Sequence, residues 1–137
     1  VAGEARVSGR ATFSTARAEN YPGTGYALIF FFDCLHDMGN PVAAATHAAN
    51  ALDKDGTVML IEPFPNAWRR ISPPSAGSTM QPQRRSAAPH AISDGGHTVL
   101  GAQAGEARLR DIFRKAGFTR FRRAMQTPFN LILEARL

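Results

Sequence analysis

The chain has 137 residues, 44% hydrophobic and 20% charged, which suits one soluble globular domain with a real core and leaves little room for two. The longest apolar run, Tyr26 to Phe32, is far short of the roughly 20 residues that span a bilayer, and no charged leader precedes an apolar stretch, so a membrane or secretory role is not expected. A single cysteine, Cys34, excludes an internal disulfide and a cysteine-built zinc cage and points to the cytoplasm.

Net charge is +5, and lysine occurs only at Lys54 and Lys115, so the excess is arginine. Nucleic-acid binding would need Arg108, Arg110, Arg114, Lys115, Arg120, Arg122 and Arg123 on one face with interleaved aromatics. Their placement on a helix and an alternating strand instead reads as an ordinary solvated surface.

In chain order, the small and polar opening to Arg10 has no pattern, as if the chain began in mid-architecture. Arg10 to Ala16 reads as a short strand. Tyr21-Pro22-Gly23-Thr24-Gly25 is a strong turn signal. Tyr26 to Phe32 is apolar on both alternations and is expected to be a strand buried on both faces of a parallel sheet, ending at Asp33.

Asn40-Pro41 opens a helix: asparagine accepts orphan amide protons, and proline is favoured at the first helical position. Val42, Ala45, Ala49 and Leu52 give a narrow apolar stripe. Asp53-Lys54-Asp55-Gly56 reads as the turn before a second buried strand, Thr57 to Glu62, closed by Pro63.

At about 65–97 the pattern gives way to Pro, Ser, Arg, Gln and Gly without periodicity, the text of an irregular segment. Leu109, Ile112, Phe113 and Ala116 then mark a helix, with Gly117 at the left-handed C-cap position. Phe118 to Ala124 and Phe129 to Ala135 alternate around Gln126-Thr127-Pro128 as an antiparallel hairpin.

The stretch Phe32-Asp33-Cys34-Leu35-His36-Asp37-Met38-Gly39, the Asp55-Gly56-Thr57 and Met59-Leu60-Ile61-Glu62-Pro63 strand, and Ala116-Gly117-Phe118 succeed one another at compatible spacing. This combination resembles the C-terminal half of class I S-adenosylmethionine-dependent methyltransferase domains, over roughly residues 11–64 and 98–137. It is closest to a bacterial group with a winged-helix-like domain ahead of the catalytic one. The implied fold is α/β: a partial Rossmann-like sheet, mostly parallel with a C-terminal antiparallel hairpin, lacking the first cofactor-binding strands. The whole of 1–137 is then a single partial domain.

The resemblance implies S-adenosylmethionine as cofactor and a small-molecule acceptor. It makes His36 the base that takes the acceptor's hydroxyl proton, Glu62 the carboxylate that orients it, and Asp37 a supporting group. Imidazole titrates near neutrality and a bonded carboxylate fixes its tautomer, so the residue types suit the task. Thr15 and Ala16 at the end of the first strand, with Phe32 and Asp33, would edge the adenine.

No glycine-rich loop and no ribose-binding acid precede Tyr26, and Ala27 stands where aspartate is common. The expected activity of the chain alone is therefore weak or nil. The alternatives are a non-catalytic interaction module, or one half of a split enzyme that meets a partner or itself through an exposed sheet edge. His47, His90 and His97 lack metal-ligand spacing, so no metal is expected. Cys34 reads as a small hydrophobe.

Overall fold

The computed structural model describes residues 9–64, 100 and 104–137. The irregular segment at about 65–97 lies outside the described residues. The elements are β1 (Tyr26–Phe32), a 3-10 turn (Leu35–Asp37), α1 (Pro41–Ala51), β2 (Leu52–Pro63), α2 (Gly105–Lys115), β3 (Arg120–Gln126) and β4 (Asn130–Arg136). They build an α/β unit around a mixed sheet in the order β1-β2-β4-β3, with β1 and β2 parallel and the other pairings antiparallel.

The parallel pair needs a crossover, which α1 supplies. The Asn40 side chain accepts the Ala43 N–H at 3.0 Å, and Pro41 opens the helix. Its deepest face is Ala44, Ala45, Ala48 and Ala51, all at most 1% exposed, while Val42 and Ala49 are only partly buried. The stripe is thus rotated from the expected one. Small side chains at these positions let the backbone approach its neighbours closely.

β2 starts at Leu52, five residues before the expected strand. Asp53 to Gly56 is an irregularity within it: Tyr26 faces Leu52, but Leu28 faces Thr57. Gly56 is required there, because a Cβ would lie 2.6 Å from the Tyr26 carbonyl oxygen and 2.6 Å from the Leu52 Cγ. The segment Arg10 to Ala16, expected as a strand, forms none.

The C-terminal part matches its pattern closely. Leu109, Ile112, Phe113 and Ala116 are all buried. Gly117 has φ +99°, the Phe118 N–H donates to the Phe113 carbonyl at 3.0 Å, and the Gly117 N–H to the Arg114 carbonyl at 3.1 Å. These two bonds, with the Phe113 and Phe118 rings 5.0 Å apart, form a Schellman cap and its apolar contact. In the hairpin turn the Thr127 Oγ1 accepts the N–H groups of Phe129 and Asn130 at 3.2 and 2.8 Å.

One face of the sheet packs under the helices through Ile29, Phe31, Val58, Leu60, Leu131, Leu133 and Ala135. The other face behaves differently. Leu28, Phe30 and Phe32 are 45, 48 and 65% exposed, so β1 is not buried on both faces as its apolar run suggested. Among the described residues it also has one neighbour, β2, and its other edge is unpaired.

Candidate active site

The site sits where the two parallel strands end. β1 delivers Asp33, whose N–H still continues the ladder to the Ile61 carbonyl at 2.7 Å, and whose φ of +48° then turns the chain. Aspartate is among the few non-glycine residues that take this conformation readily. The turn feeds the single 3-10 turn Leu35–Asp37, which tucks Leu35 and His36 inward, while the period-2 alternation of β2 puts Glu62 on the same inner face as Val58 and Leu60.

His36 and Glu62 are thereby brought together inside the protein, 7% and 2% exposed. His36 Nδ1 lies 2.6 Å from Glu62 Oε2, and the other carboxylate oxygen accepts the Leu35 N–H at 3.0 Å. A buried carboxylate needs such partners, and here both of its oxygens have one. With Nδ1 donating to Glu62, Nε2 is the atom left to accept a proton.

Two further carboxylates surround the ring. Asp37 Oδ1 lies 3.4 Å from Nε2 and is itself buried without a hydrogen-bond partner, and Asp33 Oδ1 lies 3.9 Å from Nδ1. The hydrogen bond to Glu62 holds the His36 pKa above its ordinary value; burial opposes this, and the charges of Glu62, Asp37 and Asp33 add to it. Burial pushes the Cys34 thiol up to about 11, with the Glu62 charge adding, so Cys34 is a poor nucleophile at neutral pH.

Of the expected site residues, the fold joins Asp33, His36, Asp37 and Glu62. Phe32 ends β1 with its ring exposed beside them. None of the cluster's hydrogen bonds or ion pairs reaches Thr15 or Ala16, which lie exposed on unpaired chain rather than at the end of a strand. The chain just after them does approach the site's loop: Arg17, Ala18 and Glu19 line a cavity of about 300 Å³ with Met38 and Gly39.

Two features of the site have no counterpart in the sequence pattern. One is the Leu35 N–H that holds Glu62, and the other is the place of Asp33 in the histidine's surroundings. Neither has a spacing signal, because both depend on the left-handed turn at Asp33. The expectation of no metal rested on His47, His90 and His97, whereas the donor set that the fold assembles among the described residues is Asp33, His36 and Glu62, with ligand atoms within 4.8 Å of one another.

The arginine surface is largely paired with acids. Glu106 meets Arg110 and Arg123, Asp111 meets Arg114 and Lys115, and Glu134 meets Arg122 and Arg136. Among the described residues no helix is long and apolar enough to cross a membrane.

Parallel strands joined by a helix and an antiparallel hairpin closing the sheet make this a partial α/β fold. No protein-family model and no curated relative matches the chain. Solved structures do. A putative O-methyltransferase from Nostoc punctiforme PCC 73102 is 22% identical with a TM-score of 0.63, over 97% of this chain and 39% of that one. An O-methyltransferase from neocarzinostatin biosynthesis, in complex with S-adenosyl-L-homocysteine and 1,4-dihydroxy-2-naphthoic acid, is 20% identical with a TM-score of 0.66, over 98% of this chain and 36% of that one. The mitomycin 7-O-methyltransferase is 16% identical with a TM-score of 0.63, over 99% of this chain and 37% of that one. The chain therefore spans between a third and two-fifths of the length of these three proteins.

Proposed function

We propose that the chain is the acceptor-side portion of an S-adenosylmethionine-dependent O-methyltransferase, acting on a small-molecule hydroxyl in a cytoplasmic setting. The observation that carries this reading is the buried 2.6 Å contact between His36 and Glu62 at the ends of adjacent parallel strands, where open α/β sheets bind ligands.

The acceptor's hydroxyl donates to His36 Nε2, and the proton moves to the imidazole as the oxygen becomes nucleophilic. Glu62, fixed by the Leu35 N–H, keeps the Nδ1–H tautomer in place and stabilises the imidazolium. Asp37, 3.4 Å from Nε2, supports that cation.

On this reading S-adenosylmethionine is assigned to one edge of the site. The Phe32 ring, 65% exposed, and the Asp33 carboxylate offer an apolar face and a hydrogen-bond acceptor for an adenine. When bound, S-adenosylmethionine supplies an electrophilic methyl group. The chain spans under two-fifths of the length of these methyltransferases, so the proposal assigns the chain alone weak binding and little or no activity.

Calorimetry with S-adenosylmethionine tests this, first on the chain alone and then after co-expression with a polypeptide that supplies a glycine-rich strand-loop-helix. The expected result is weak binding alone, saturable binding in the complex, and methyl transfer to a phenolic acceptor panel that His36→Ala abolishes. Undiminished transfer by His36→Ala would overturn it. A second reading, an interaction module without catalysis, is favoured by the edge of β1 that is unpaired among the described residues and by the exposed Leu28, Phe30 and Phe32. A stable complex that never binds the cofactor would decide for that reading.

A further inference from the structure

The geometry points to a second ligand for the same cluster: a zinc-class divalent cation held by Asp33, His36 and Glu62, which competes with the proton on His36 Nδ1. Around Nδ1 stand Glu62 Oε2 at 2.6 Å and Asp33 Oδ1 at 3.9 Å. Tetrahedral zinc, with bonds of about 2.0–2.2 Å to nitrogen and oxygen, separates its ligands by roughly 3.3 Å. The first contact must open and the second close by about 0.6–0.7 Å each, within reach of side-chain rotation. One nitrogen and two carboxylate oxygens leave a fourth position for water, and imidazole with carboxylate suits zinc better than the hard alkaline-earth ions.

The surroundings match what a metal-bound histidine requires. Such a histidine donates its other ring N–H to a carboxylate, and a ligating carboxylate is itself hydrogen-bonded. Here Asp37 Oδ1 waits 3.4 Å from Nε2, buried and without a hydrogen-bond partner, and Glu62 Oε1 already accepts the Leu35 N–H. The exposed Asp33 side chain gives the cation a way in from solvent, while the two other ligands are over nine-tenths buried.

On binding, the Nδ1 proton leaves to buffer, the imidazole becomes the Nε2–H tautomer bonded to Asp37, and Nε2 can no longer accept a proton. The cation therefore acts as an inhibitor of the His36 base. The site itself depends on the cluster's geometry and not on methyl transfer.

The test is a zinc chloride titration of the chelator-treated full chain by calorimetry, with Co²⁺ absorption as a second readout of tetrahedral coordination. One saturable site is expected. Asp33→Asn should weaken it at least about tenfold; that residue is exposed, and asparagine also tolerates positive φ, so the variant should fold. Asp37→Asn should weaken it by about 10–100-fold, the usual cost of losing a histidine's outer partner, while His47→Gln should leave it unchanged. Absence of saturable binding, or binding that Asp33→Asn leaves intact or that His47→Gln removes, would overturn the site. The readout needs no cofactor or acceptor, so a chain that binds zinc but transfers no methyl group would fail only the methyl-transfer proposal.

Discussion

The two ends of the sheet use their apolar side chains differently. At the C-terminal end, α2 and β4 alternate polar and apolar residues, and their inward positions are buried: Leu109, Ile112, Leu131, Leu133 and Ala135 lie in the core, and Phe113 is packed among Phe31, Phe118 and Phe121, although Met125 and Phe129 of the hairpin stay exposed. At the other end β1 is apolar throughout, yet Phe31 alone among its residues is buried. An amphipathic pattern specifies its own packing, because one face is written for water. An unbroken apolar run specifies only that something should cover both faces, and the described residues cover one.

Three substitutions probe this contrast, in descending order of effect. Phe113→Ala should cost about 3–5 kcal/mol in urea unfolding, the usual range for emptying a core phenylalanine site. A loss below about 1 kcal/mol would mean that the helix–hairpin core is looser than its rings suggest. Gly56→Ala should cost about 1–3 kcal/mol, since its Cβ meets the Tyr26 carbonyl oxygen at 2.6 Å and the irregular start of β2 must shift. A neutral result would show that the β1–β2 register is not fixed there. Phe30→Ser, on the open face of β1, should change stability by no more than about 0.5 kcal/mol, as exposed positions do. A loss above about 2 kcal/mol would show that this face is covered in solution.

Much of the fold was legible because its signals are local. Asn40-Pro41 announced α1, Gly117 announced the cap of α2, and Gln126-Thr127-Pro128 announced the hairpin, each through backbone chemistry that needs no tertiary contact. The stripe of α1 was misplaced because alanine carries little hydrophobic contrast, so Ala44 and Ala48 could not be told from Ala45 and Ala49. Asp53 to Gly56 looked like a turn, since composition cannot separate a turn from an irregular strand that a glycine lets pass close to a neighbour. Arg10 to Ala16 had alternation enough for a strand but pairs with no strand among the described residues. In the site, His36 and Glu62 were recognisable from their motifs at strand ends. The approach of Asp33 to the ring and the hold of the Leu35 N–H on Glu62 were not, because they arise from one left-handed residue and one turn of 3-10 helix.

The chemistry of the site depends on His36 being held by Glu62, and proton linkage fixes the sign of its effect on stability. A histidine whose folded pKa is raised contributes stability that is fully present below its unfolded pKa, near 6.5, and is lost as pH rises through the folded value. The wild-type urea midpoint should therefore fall across that interval, and His36→Gln should flatten the dependence. The most direct measurement is an NMR titration of the His36 ring in wild type and in Glu62→Gln. The expected outcome is a pKa above the ordinary histidine value in wild type and a lower one in the variant. A wild-type His36 that titrates at or below the ordinary value, unmoved by Glu62→Gln, would refute the pairing on which the proposed proton transfer is built.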